Sequence, residues 1–82
     1  MNQLALDLRQ EKTRLSRQCE TIIGRLCRGR TSNFELYEIA LNATARISEL
    51  RKKGHHIRIV ARDHRTGENW YALFVNGKEV GL

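Results

Sequence analysis

The hydrophobic pattern changes period once, at Gly54, and that change restricts the fold more than any other feature of the 82 residues. Before it, apolar residues recur at helical spacing. After it, they alternate as in strands. There is no proline, so glycine and capping residues divide the segments.

Leu15, Cys19, Ile22, Ile23 and Leu26 form one apolar stripe, and Leu4 and Leu8 continue its spacing backwards. Two readings of the start stay open. Either one helix runs from about residue 3 to 28, or residues 1–12 form an arm before a helix of about 14–28, which is the favoured reading. Gly29 follows as a helix stop. In TSNFELYEIALN, Ser32 with Glu35 three positions on fits a capping box. It predicts a second, two-turn helix from about Asn33 to Ala40, with Phe34 or Leu36, together with Tyr37 and Ile39 to Leu41, giving it an apolar side. Asn42 offers a cap for a third helix, Ala43 to Lys53. Ala43, Ile47 and Leu50 stand at i, i+4 and i+7 and give it a buried stripe.

Past Gly54, residues 57–62 (IRIVAR) read as a strand, 63–68 (DHRTGE) as a turn and 69–75 (NWYALFV) as a returning strand. Asn76-Gly77 is a strong hairpin signal, so Lys78 to Val80 form a short third strand or a tail. The order is helix, helix, helix, hairpin. It predicts an α+β domain over 13–82, a three-helix winged helix-turn-helix with a C-terminal β-hairpin wing. Residues 1–12 are its N-terminal arm or helix extension.

Such an order suits double-stranded DNA. The second helix of a helix-turn-helix enters the major groove, and its first turns meet base edges. With the buried stripe inward, Ala45, Ser48, Glu49 and Lys52 face away, Thr44 and Arg51 flank one side, and Arg46 and Lys53 the other. Asn42 stands at the start. Small residues (Thr44, Ala45, Ser48) let the backbone approach DNA closely. Thr44 and Ser48 bond bases or phosphates. Arg46 either forks to guanine or phosphate or pairs with Glu49 or Glu38 within the fold. Glu49 reads a cytosine amino group or pairs with a neighbouring arginine. Arg51, Lys52 and Lys53 suit phosphates, as do Arg62, His64 and Arg65 on the hairpin. Lys and Arg at a helix end are also favoured by its dipole, so that run by itself decides little.

Charge supports the choice. The net charge is +6 and the pI is near 10. Between Asn42 and Gly67 stand seven cations and two anions. A positive field confined to one stretch fits an anionic partner, and nucleic acid above all.

The residues ARISELRKKGHHI resemble the "RI-x-x-L-R-x-x-G-x-x-I" core of a small helix-turn-helix family common in bacteriophages and prophages. RQCETIIGRLCRGRTSNFELYEIAL is similar to that family's first two helices, an "I-L-x-x-L-x-x-G" helix followed by a "T-x-x-E-L" start. The resemblance covers roughly Gln18 to Phe74, with Arg46, Ile47, Leu50, Arg51, Gly54 and Ile57 at the matching positions. It implies a winged helix-turn-helix that binds DNA, as a transcriptional regulator or as an excision or replication accessory factor, in the cytoplasm of a bacterial host.

Other classes fit less well. No paired carboxylates, no nucleophile with a base and no phosphate-cradling glycine loop mark an enzyme. His55-His56 lacks a third metal ligand at convincing spacing, and no cofactor is expected. Of Trp70 and Tyr71, which point to opposite faces of a strand, one belongs to the core. Cys19 and Cys27 lie about 12 Å apart along one helix, too far to bridge each other. They read as reduced core thiols of a cytosolic protein. No apolar run is long enough for a membrane span, and the first residues, MNQLALDLRQEK, do not read as a signal peptide. The leucines Leu4, Leu6 and Leu8 suit a second copy of the chain or a host protein. The rival reading is therefore a winged helix that binds and inhibits such a protein.

Overall fold

A computed structural model describes residues 3–81, with side chains from Arg14 onward. Three helices and an antiparallel sheet follow in the order α1 (Gln3–Cys27), β1 (Thr31–Ser32), α2 (Asn33–Ile39), α3 (Ala43–Lys52), β2 (His56–Asp63), β3 (Glu68–Val75) and β4 (Lys78–Glu79). The sheet has four strands, with β1 and β2 on either side of β3 and β4 also paired to β3. The architecture is α+β.

Of the two readings of the start, the long helix is the one adopted. α1 spans 25 residues, about 37 Å at 1.5 Å per residue. The side chains of Leu4, Leu6 and Leu8 lie outside the described residues. The stripe Cys19, Ile22 and Leu26 is buried, as its spacing requires.

α2 begins where expected. Ser32 is its N-cap, and the Ser32 hydroxyl accepts from the Glu35 backbone N–H at 3.3 Å. The Glu35 carboxylate lies 3.8 Å from Arg25 on α1. Leu36 supplies the buried side of α2, whereas Phe34 and Tyr37 are exposed. Leu36 and Ala40, four positions apart, go inward, whereas Leu41, expected on the apolar side, is exposed; packing decides which of the alternative faces the core takes.

Asn42 caps α3 by position alone and makes no side-chain cap bond. This corrects the expectation of an Asn cap. At the other end Gly54 has φ 103°. The Gly54 N–H donates to the Arg51 carbonyl at 3.0 Å, and the His55 N–H to the Leu50 carbonyl at 3.1 Å. These are the two bonds of a Schellman motif, and the left-handed conformation between them favours glycine.

β2 and β3 pair in antiparallel register, with Ile57 opposite Leu73 and Ile59 opposite Tyr71. A bulge between Ile59 and Ala61 breaks the ladder at Val60. Ile57, Tyr71 and Leu73 join the α1, α2 and α3 stripes in one core. Tyr71 is thus the core member of the Trp70-Tyr71 pair, and Trp70 is half-buried. Asn76 (φ 53°) and Gly77 (φ 78°) turn β3 into β4 as the sequence signal requires. β1 is an addition: Thr31 pairs with Tyr71 and Ser32 with Trp70. Two residues give no readable alternation, so only the neighbouring strand reveals it.

Packing fixes a sharp contrast. Ile22 and Leu36 are almost wholly buried, while Leu41 is 97 % exposed. Ile22→Ala and Leu36→Ala should each destabilise the fold by about 2–5 kcal/mol, and Leu41→Ala by no more than about 0.5 kcal/mol. Urea unfolding of the three variants checks the order.

Candidate nucleic-acid interface

α3 lies between α1, α2 and the start of β2, and its inner stripe is what places its outer face. Ala43, Ile47 and Leu50 are buried as their spacing predicts. Asn42, Thr44, Ser48, Arg51, Lys52 and Lys53 are exposed. They are polar, and the last three are cationic.

Arg46 corrects the assigned face. It is only 8 % exposed, and its guanidinium pairs with Glu49 at 3.1 Å. Glu49 in turn accepts from the Cys19 thiol at 3.6 Å. This flank of α3 faces α1, so Ala45 and Glu49 are half-buried too. The cause is rotational. A ten-residue helix with three inward residues can turn either way by one position, and the proximity of α1 turns it towards Arg46. The Arg46 Nε is buried without a hydrogen-bond partner. Burial, and then the hydrogen bond to Glu49, pushes the Cys19 thiol up from its ordinary value, which keeps it neutral. Both cysteines are free, Cys19 buried and Cys27 exposed, so only the first is a core thiol.

Arg51 holds α3 to the strand that follows. Its Nε donates to the Ile57 carbonyl at 2.9 Å, which fixes the start of β2 against the last turn of the helix.

At the far end of the hairpin, Arg62, His64 and Arg65 are all exposed. The turn between them is built by local bonds. The Gly67 N–H donates to the Asp63 carbonyl at 2.9 Å, the Arg65 N–H to the Asp63 carboxylate at 2.9 Å, and the Glu68 N–H to the Thr66 hydroxyl at 3.2 Å. Asp63, the one anion in this turn before Glu68, is therefore occupied in shaping it.

Three features escape the sequence reading. Arg58 stacks over Phe74 at 4.8 Å on the outer face of the sheet, beside His56. Arg30 forks to Glu79 at 2.9 and 3.1 Å. Asn33 is buried and bonded to the hairpin. All three depend on strand register, which no local pattern discloses.

Among the described residues no cluster of His, Cys, Asp and Glu could hold a metal ion. No described helix is long and apolar enough to cross a membrane. No protein-family model, curated protein or solved structure matches this chain.

The Arg46–Glu49 pair gives a test of the rotation. Its carboxylate is partly open to water, so Glu49→Gln should cost about 1–3 kcal/mol, between the values of surface and buried pairs. Arg46→Met keeps the volume and removes both the buried charge and the orphan Nε, so thermal unfolding should show a smaller loss for it than for Glu49→Gln. The reverse order would place Arg46 outside the core.

Proposed function

We propose that this protein is a winged helix-turn-helix that binds double-stranded DNA, with α3 in the major groove and the β2–β3 hairpin as the wing. The observation that carries the reading is the outer face of α3. Thr44, Ser48, Arg51 and Lys52 are exposed along one side of a helix whose opposite side is core. An α-helix of this kind fits the major groove, and small hydroxyl side chains near its start allow close approach.

The order α1, β1, α2, α3, β2, β3 supports it, because the hairpin follows the proposed recognition helix directly and is tied to it through Arg51. Thr44 and Ser48 are the base-facing candidates. Arg51, Lys52, Lys53, Arg62, His64 and Arg65 meet phosphates. Arg46, Ala45 and Glu49 leave the contact set and hold α3 against α1. A phage or prophage origin, a cytoplasmic setting and a role as transcriptional regulator or as excision or replication factor rest on the family resemblance.

One observation favours a second reading, a winged helix that binds a protein. Phe34 and Tyr37, three positions apart on α2, and Leu41 in the turn after it are all exposed. A protein-binding module would be retained on heparin yet fail to bind duplex DNA at low salt.

Fluorescence anisotropy with a random-sequence duplex, repeated from low to high salt, decides between them. The DNA reading expects a steep fall of affinity with salt. Lys52→Ala and Arg65→Ala should each reduce the log–log slope by about 0.9, one phosphate contact apiece. Wild-type slopes in both variants would reject the face, and no binding at low salt would reject the function.

A further inference from the structure

The main chain of β1 leaves the sheet after two residues. Thr31 stands opposite Tyr71 and Ser32 opposite Trp70, so a third residue in register would stand opposite Asn69. At that point the backbone turns into α2, with Ser32 as the cap. Asn33 is the first residue of the helix, yet its side chain returns to the ladder. Its Nδ2 donates to the Gly67 carbonyl at 3.2 Å, and its Oδ1 accepts from the Asn69 N–H at 2.9 Å. The residue is 9 % exposed. One buried amide thus pairs two backbone groups, one on either side of Glu68.

These bonds do something the turn cannot do for itself. The local bonds of Asp63 and Thr66 set the shape of the tip. They leave its attachment to the helices open. Asn33 joins the end of the turn to the first residue of α2. We propose that Asn33 is the positioning residue of the hairpin tip, fixing where Arg62, His64 and Arg65 stand relative to the helical layer.

The chemistry is particular to asparagine. The site needs a donor and an acceptor side by side, as in a peptide group. The substitution Asn33→Asp would keep the bond from the Asn69 N–H and set a carboxylate against the Gly67 carbonyl. Because an acidic residue is favoured in the first turn of a helix, α2 itself does not suffer from it. A glutamine places its amide one methylene farther out.

The effect on DNA binding rests on the function proposed above, whereas the attachment does not, and the experiment reads the two separately. Amide hydrogen exchange at Asn69 is compared in the wild type and in Asn33→Ala. Loss of the clamp should speed it by about tenfold, as local opening does, with global stability largely kept. Unchanged exchange at Asn69 overturns the inference. Duplex affinity is then measured for Asn33→Ala in the wild type and in an Arg62→Ala/Arg65→Ala background. Residues acting through one another are not additive, so the substitution should weaken binding by about fivefold in the first background and by less than about twofold in the second. An equal loss in both means a merely structural residue and overturns the positioning role. If duplex DNA is not bound at all, the function falls, and the exchange result still judges the attachment. Should Asn33→Ala fail to fold, Asn33→Asp carries the same comparisons, with a smaller gain in exchange and the same dependence on background.

Discussion

Burial of one side of α3 is the interaction on which the rest depends. Ala43, Ile47 and Leu50 meet Cys19, Ile22 and Leu26 from α1, Leu36 from α2, and the inner residues of β2 and β3. A chain this short can support one core, and α3 sits where the three layers of contact meet. Once its apolar side is committed inward, Thr44, Ser48 and Lys52 are left facing solvent, and Arg51 lies exposed beside them with its Nε on the Ile57 carbonyl. The polar surface follows from the packing of the opposite side.

The same packing sorts the cations into two kinds. Some are engaged by the fold: Arg46 pairs with Glu49 beside the core, and two exposed ones, Arg30 and Arg58, fork to a largely buried Glu79 carboxylate and cover Phe74, respectively. Those at the end of α3 and at the hairpin tip stand in water. The net charge of +6 therefore overstates the uniformity of the field. What matters for an anionic partner is the subset that the fold leaves free of carboxylates, and in the second half of the chain most of it lies at two places, the last turn of α3 and the hairpin tip, with Arg58 and Lys78 outside them.

Two polar ties join these places to the body. Arg51 holds the root of the hairpin and Asn33 its far end. A two-stranded ribbon alone is marginally stable in water. Here it gains β1 as an additional neighbour, a core face through Ile57, Tyr71 and Leu73, and side-chain bonds to helices at both ends. That is how a short chain ties a helix and a ribbon to one core.

Much of this is legible in the order of residues alone. The change of period at Gly54, the Ser32 cap, the Asn76-Gly77 turn and the stripe of Ala43, Ile47 and Leu50 each act over a few residues, and local chemistry suffices to read them. The sequence therefore determined three helices, a hairpin, their order and the region that carries the charge. It did not determine the rotation of α3, which buries Arg46, because that depends on how closely α1 approaches. Nor did it determine that Phe34 stays out while Leu36 goes in, that Thr31 and Ser32 form a strand, or that Asn33 clasps residues more than thirty positions away. Those outcomes belong to register and packing between distant segments, which exist only once the chain has closed on itself.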